Sequence, residues 1–185
     1  GVGAWRRAGA GVGAGGAVLS LVQYDGRKGG AQLELGETAV RRDGEVARGD
    51  IGDPVSVLNA VRGTEGVYHL ASLIAIPYSY IAPQSYVTTN VQGAVNVLQA
   101  ARDEGVERVV HTSTSECYGT ARYVPIDEKH PLQGQSPYSA SKSGTDMIAE
   151  IYWRSFKVPV APLRTFPTLA PRQSHASVIP PDQPH

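Results

Sequence analysis

Tyr138-Ser-Ala-Ser-Lys142 sets a phenol and an ammonium four residues apart. On a helix, that spacing puts both on one face. An ammonium held beside a phenol favours the phenolate and lowers the tyrosine pKa from ~10 towards the working pH. A tyrosine tuned in this way is a general base for a sugar or alcohol hydroxyl. Two surface residues of an ordinary helix satisfy the same spacing, so the motif needs support from elsewhere in the chain.

That support comes from Thr112-Ser-Thr-Ser-Glu-Cys-Tyr-Gly119, which follows an apolar run. Hydroxyls and a carboxylate at the carboxyl end of a buried strand are where a doubly wound fold places its chemistry. A polar loop built from Ser/Thr turns is the plainer alternative. Strand-end hydroxyls followed about twenty residues later by Tyr-x-x-x-Lys form a much rarer combination than either motif alone.

Other candidates are weaker. Gly11-Val-Gly13-Ala-Gly-Gly16 matches a dinucleotide fingerprint as a string. The fingerprint works only with a strand before it and a helix after it. Here no strand is expected before the glycines and one follows at once, so the match is read as false. Asp50 suits an adenine edge or the cap of a turn, and Asp25 is a poor candidate for a ribose hydroxyl. His69 and His111 read as core histidines, and their spacing suggests no metal site. Cys117 has no histidine at a suggestive distance, which argues against a thiol nucleophile. Ile76-Pro-Tyr-Ser-Tyr-Ile81 either lines a pocket or packs a loop.

The elements that must position these residues alternate. Residues 1–16 read as an irregular Gly/Ala-rich segment, and Ala17–Tyr24 as a buried strand. Residues 25–45 are polar, with a short helix suggested near Gln32–Leu35 and a short strand at Val46–Ala47. Asp53-Pro54 is a helix start, an N-cap followed by proline at the first position. That helix runs to about Arg62. Gly66–Ala71 is a strand and Ser72–Ala82 a loop. Pro83 opens a long helix to about Glu104, with Val87, Val91, Ala94, Leu98 and Ala101 as its apolar stripe. Glu107–Ser113 is a strand, Ser136-Pro137 begins a helix to about Phe156, and Val158–Arg164 is a last strand. Alternation of this kind predicts an α/β fold: a Rossmann-like, doubly wound parallel sheet with helices on both faces. The expected domain spans residues 17–175, and 176–185 read as a tail. The missing initial Met and the Pro-rich end suggest a domain truncated at both ends.

Composition excludes several classes. The chain has 185 residues, 41% of them apolar and 18% charged, which is unlike a disordered chain. Lys+Arg and Asp+Glu both number 17, so no net positive field exists to hold nucleic acid or an anionic membrane. No apolar run approaches the length of a membrane span, and no signal peptide is visible. A single cysteine fits a reducing, cytoplasmic setting.

Taken together, the stretch from about Gly49 to Arg172 resembles the nucleotide-sugar epimerase/dehydratase branch of the extended short-chain dehydrogenase/reductase superfamily. The resemblance rests on Gly49-Asp-Ile, Tyr68-His-Leu-Ala-Ser72, Thr89-Asn-Val-Gln-Gly93, Thr112–Gly119 and Tyr138–Lys142. Leu73–Tyr80 and Tyr123–Tyr138 are similar to the UDP-N-acetylglucosamine 4,6-dehydratases of the legionaminic-acid type. The resemblance implies bound NAD, held by Asp50, Ile51, Leu70, Ala71, Ser72, Asn90, Thr112, Tyr138 and Lys142. It implies a UDP-sugar substrate met by Ile76, Tyr78, Thr114 and Arg172, and a homodimer through a four-helix bundle built on the helices opening at Pro83 and Pro137.

The resemblance also implies roles. Tyr138 takes the proton from the sugar O4, Lys142 holds the nicotinamide ribose and tunes Tyr138, and Thr114 hydrogen-bonds O4. Glu116 removes the C5 proton, and Ser115 assists the water leaving C6. A 4-epimerase has no use for a base at C5, so Glu116 favours the dehydratase over its sister chemistry. The family's glycine loop is not recognisable here, Pro167 stands where the family has an Asn that contacts ligand, and the family's substrate-binding C-terminal part is missing. An inactive truncated fragment is therefore the alternative from another class.

Overall fold

In the computed structural model, residues 2–8, 18–22 and 45–166 are described. The expected strands and helices from Glu45 onwards are present. In chain order they are β1 (Val2–Ala8), β2 (Val18–Val22), β3 (Glu45–Asp50), α1 (Pro54–Val61), β4 (Gly66–His69), α2 (Ile76–Ile81), α3 (Pro83–Tyr86), a π-helical turn (Val87–Gln92), α4 (Gly93–Asp103), β5 (Arg108–Thr114), a 3₁₀ turn (Ser115–Tyr118), α5 (Pro137–Phe156) and β6 (Val160–Thr165). They form one six-stranded sheet in the order β3-β1-β2-β4-β5-β6.

The right half of this sheet is the parallel, crossover-connected arrangement expected from the alternation. β2, β4, β5 and β6 run parallel, in a register that pairs His69 with His111 and Thr114 with Thr165. The left half corrects the sequence reading. Val2–Ala8 is not irregular but a strand, lying antiparallel between β2 and β3. Pairing on both sides supplies the ladder that its Gly/Ala-rich sequence does not signal. A strand therefore does precede Gly11–Gly16, contrary to expectation. The glycine run itself, Asp25, the short helix near Gln32–Leu35, Pro167, Arg172 and the tail lie outside the described residues.

Helix α1 starts as its sequence dictates: the Asp53 carboxylate accepts from the amides of Val55 and Ser56, and Pro54 occupies the first turn. The long helix expected from Pro83 is interrupted. A π turn over Val87–Gln92 adds a residue to the turn and shifts the buried face, so Thr89 and Asn90 point inward while Val87 is exposed. Beyond it, Ala94, Leu98 and Ala101 are buried as the stripe predicts, joined by Val97 and Ala100. The loop expected over Ser72–Ala82 contains α2, whose Ser79 hydroxyl donates to the carbonyl of Ile76.

Strand alternation sends Val67, His69, Val109 and His111 to the face covered by the described helices, while Tyr68 and Leu163 are exposed. The core on that face joins Ile51, Val57, Val61, Val97, Leu98, Ala101, Ala149 and Val158. Two contacts tie α4 to the end of β3. Gly93 packs on Ile51 so closely that a Cβ would stand 2.9 Å from Ile51 Cγ1. Asn96 Nδ2 donates to the Ile51 carbonyl at 2.9 Å. Among the described residues, no helix is long and apolar enough to cross a membrane.

The Asn96 contact gives a test of how the sheet end is fixed. Asn96→Ala leaves the Ile51 carbonyl buried without its donor, which costs about 1–3 kcal/mol. Urea unfolding of the variant should show a free energy lower by that amount, seen as a lower midpoint at an unchanged denaturant slope.

Candidate active site

Two elements bring the chemistry together. β5 delivers Thr112, Ser113 and Thr114 to its carboxyl end, and Thr114 caps the 3₁₀ turn by accepting from the Glu116 amide at 3.2 Å. That turn carries Ser115, Glu116 and Cys117. α5 begins at a capping box in which Ser136 and Ser139 satisfy each other's backbone amides, with Pro137 at the first position. This fixes Tyr138 in the first turn of α5, beside the strand end, with Lys142 one turn further on.

The expected pair is buried. Lys142 is 4% exposed and donates from Nζ to the Thr112 carbonyl at 2.5 Å, bridging α5 to β5. Tyr138 is buried beside the Thr114 side chain, and it feels the charge of Glu116. Thr114, Glu116, Tyr138 and Lys142 therefore converge at one strand end. Ser115 is half-buried and Glu116 is exposed, open to a substrate.

The electrostatics revise one expectation. Burial is the largest influence on Tyr138 and pushes its phenol above the usual range; the Thr114 side chain opposes this, and Cys117 and Glu116 add to it. The lysine's proton goes to Thr112 rather than to the phenol, so the lowered tyrosine pKa expected from the spacing is not found. Burial instead pushes Lys142 down to about 8, against the opposing influence of Asp146 and Cys117.

The expected cofactor residues fall along the same edge. Leu70 is 46% exposed just past β4, Ala71 is buried, and the Ser72 hydroxyl donates to the Leu73 carbonyl. Ile51 is buried at the end of β3. Asp50 caps a turn, its Oδ1 accepting from the Gly52 amide at 2.9 Å, which is the structural one of its two readings. Asn90 is held by its neighbours. Its Oδ1 accepts from the Leu73 amide, and its two amide protons go to the Leu73 carbonyl and to Ser141 Oγ. Through these three bonds Asn90 clamps the loop after β4 onto α5.

Ile76 is half-buried and Tyr78 exposed on α2. Tyr78 leads into a run of rings that the sequence reading missed. Tyr78 lies 6.4 Å from Tyr86, and Tyr86 meets Tyr138 edge-on at 6.2 Å. The buried Tyr86 anchors this run by donating to the Ala75 carbonyl. Over the site, Gly119 has φ +64° and lies so near the Gln133 carbonyl that a Cβ would stand 2.2 Å from it. His130 organises the strap that follows: its Nε2 accepts from the Arg122 amide, its Nδ1 donates to the Pro131 carbonyl, and Tyr118 and Tyr123 flank the ring.

Beneath Lys142 lies a polar cluster. His69 and His111 are buried with ring centres 5.1 Å apart. Thr145 Oγ1 donates to the Lys142 carbonyl and so accepts from His111 Nε2–H, which fixes that tautomer. Asp146, four residues after Lys142, is bound by Arg164 at 2.7 Å. Burial, then the Lys142 charge, pushes His69 down to about 3; burial, then His69 and Lys142, holds His111 well below the usual range. Both are thus neutral core histidines, as their sequence positions suggested. Cys117 is buried against Ser113 and the Ser139 carbonyl, consistent with no nucleophilic role. Among the described residues, no group of three or more His, Cys, Asp or Glu is placed to hold a metal ion.

A parallel sheet with strand-end hydroxyls and a buried Tyr-x-x-x-Lys helix defines the Rossmann-like class of short-chain dehydrogenases/reductases. The comparisons narrow this. A family model described as GDP-mannose 4,6 dehydratase matches residues 14–181, and the chain belongs to that family. It is 35% identical over 133 residues to dTDP-glucose 4,6-dehydratase of Streptomyces antibioticus, covering 72% of this chain and 40% of that protein. It is 34% identical over 128 residues to UDP-glucose 4-epimerase of Corynebacterium glutamicum, covering 69% and 39%. Among solved structures, the dTDP-glucose 4,6-dehydratase DesIV of Streptomyces venezuelae, with NAD and TYD bound, superposes with a TM-score of 0.67 at 37% identity over 71% of this chain and 41% of that one. UDP-N-acetylglucosamine 4-epimerase of Methanobrevibacter ruminantium gives 0.66 at 26% identity over 70% and 41%. The chain thus spans about two fifths of the length of these relatives.

The buried histidines make stability pH-dependent. In the unfolded chain both take up a proton near pH 6.5, whereas the folded protein resists this down to about 3 for His69 and well below 6.5 for His111. The unfolded state therefore binds more protons below 6.5, and stability falls as pH falls through that value. Between about pH 6 and 5, the urea midpoint should drop with a slope approaching two protons, and His69→Gln should remove about half of it.

Proposed function

We propose that the chain carries the catalytic core of an NAD-dependent nucleotide-sugar 4,6-dehydratase, with UDP-N-acetylglucosamine as substrate and a 4-keto-6-deoxy sugar as product. The observation that carries this reading is the convergence of Glu116, Thr114 and Tyr138 at the end of β5 over the buried Lys142. Dehydratases and epimerases of the superfamily are the relatives, and an exposed carboxylate beside the tyrosine is what the elimination needs.

The residues present fit the cofactor. An ammonium has three protons, and the Thr112 carbonyl takes one from Lys142, which leaves donors for ribose hydroxyls. Leu70, Ala71 and Ser72 offer an apolar edge past β4, and Asp50 and Ile51 stand at the end of β3. NAD, when bound, supplies the acceptor that takes hydride from C4 and returns it at C6. The chain's own groups handle the protons. Tyr138 accepts the O4 proton as the C4 carbonyl forms, with Thr114 hydrogen-bonded to that oxygen. Glu116 takes the C5 proton, made acidic by the adjacent ketone. Ser115 assists the C6 hydroxyl as it leaves with a proton as water, and a proton returns to C5. The sum is loss of one water with no net redox change.

Ile76, Tyr78 and Arg172 complete the substrate side of this reading. In this reading two copies pair through α4 and α5, and the apolar groove lined by Val95, Met147, Ile148, Ile151 and Tyr152, with Met147 and Ile151 exposed, supports that. Four such helices form a bundle between two copies. The enzyme is placed in the cytoplasm.

The test is the mass of UDP-N-acetylglucosamine after incubation with this chain and NAD. Loss of one water is expected; an unchanged sugar means an inactive fragment, and an isomer of equal mass means an epimerase. In active protein, Glu116→Gln should abolish water loss while leaving hydrogen exchange at C4. Tyr138→Phe should slow both by about 100- to 10,000-fold. Unchanged water loss in Glu116→Gln defeats the role given to that carboxylate.

A further inference from the structure

The Tyr138–Lys142 reading leaves a physical problem, and its solution lies one turn further along α5. Lys142 is 4% exposed, and among the described residues its ammonium has one hydrogen-bond partner, the carbonyl of Thr112. Burial disfavours the charged form of a lysine, and a carbonyl dipole does not balance a full charge. Six titratable or charged groups share its surroundings. Tyr138 and Asp146 face it from α5, His69 from β4, His111 from β5, Cys117 from the 3₁₀ turn, and Arg164 from β6 behind Asp146. His69 and His111 are neutral and stacked. Asp146 is the carboxylate of the group.

Its geometry is that of a fixed charge. Asp146 is buried at i+4 from Lys142, so both occupy one face of α5. Oδ2 accepts from Arg164 Nε at 2.7 Å, and Arg164 in turn reaches the Tyr118 hydroxyl at 3.4 Å. Among the described residues Oδ1 has no hydrogen-bond partner, and His111 Nε2 lies 3.9 Å from it. The neutral His111 gives its proton to Thr145, so this contact is no ion pair. A buried carboxylate oxygen without a donor is costly unless a nearby cation repays it.

Resting on the reading of Tyr138 and Lys142 as the acid–base pair, we propose that Asp146, locked in place by Arg164, is a positioning residue that keeps the buried Lys142 ammonium charged and directed at the end of β5. The side chains of Lys142 and Asp146 act as one unit. Arg164 holds the carboxylate still, the carboxylate offsets the burial of the ammonium, and the ammonium stands ready beneath Tyr138.

The direct test reads Lys142 itself rather than turnover. Carbon–nitrogen NMR of uniformly labelled full chain follows the lysine side chains against pH, with Lys142→Arg identifying the resonance. Wild type should titrate near 8. Asp146→Asn should move that midpoint down by about one unit or more, since a close opposite charge shifts a pKa by about 1–3 units. Asp146→Glu should restore most of it. Arg164→Gln breaks the same ion pair but keeps the carboxylate, so it should leave the midpoint at or above wild type. If Asp146→Asn does not fold, the double variant Asp146→Asn/Arg164→Gln removes both charges together and should show a midpoint below that of Arg164→Gln alone. An unmoved midpoint in Asp146→Asn, a double variant no lower than Arg164→Gln alone, or an equal downward shift in Arg164→Gln alone, overturns the proposal. Because the titration needs no substrate, failure of the dehydratase reading appears separately, as absence of water loss.

Discussion

Lys142 crosses from α5 to the carbonyl of Thr112, and that buried contact couples the two elements on which the site is built. It sets the height of α5 against the end of β5. Tyr138, one turn nearer the helix start, is thereby carried to Thr114 and the 3₁₀ turn. The capping box at Ser136 and Ser139 fixes where the helix begins, and the lysine fixes what it touches. Displacing either would separate the phenol from the hydroxyls without altering a single residue of the motif.

Burying an ammonium has consequences for everything packed around it. Two histidines beneath it are held neutral by their own burial and by the lysine's charge. The cluster is completed by Asp146 and Arg164, which link α5 to β6 at 2.7 Å. A buried pair of this kind contributes little net stability on average, because desolvation offsets the attraction. What it contributes here is geometry. It joins the helix that carries the motif to the last described strand, and it places a negative charge on the lysine's own helix face.

The second layer of positioning is made of uncharged contacts. Asn90 uses Oδ1 and both amide protons to bind the loop after β4 to Ser141 on α5. The π turn is what points Asn90 inward, because the extra residue rotates the helix face. The rings of Tyr78, Tyr86 and Tyr138 form a further line from α2 into the site. The membership of the chain in the GDP-mannose 4,6 dehydratase family gives this scaffold its context, since relatives sharing the fold include both dehydratases and epimerases. The proposed dehydratase reading rests on what stands beside the tyrosine. In this chain that is Glu116, exposed at the mouth of the site.

The sequence by itself indicated the helices opening at Pro54 and Pro137 and the strands β4, β5 and β6, and it singled out Tyr138, Lys142 and the groups after β5 as candidates. Caps such as Asp53-Pro54 and Ser136-Pro137 are local signals, and Tyr-x-x-x-Lys is a spacing that a helix converts directly into a shared face. Only the tertiary structure decided how those groups are charged and what holds them. The spacing suggested a tyrosine made acidic by its lysine; burial raised Tyr138 instead and turned the ammonium to a carbonyl. Asn90, expected among the cofactor residues, also clamps two elements together, a role that no local pattern signals. β1 took its conformation from pairing on both sides rather than from its own residues. Asp146 and Arg164 are 18 residues apart, and Asn90 and Ser141 are 51 apart. Partnerships over such distances depend on which strand lies beside which and on how far each side chain is removed from water, and neither is written in local pattern.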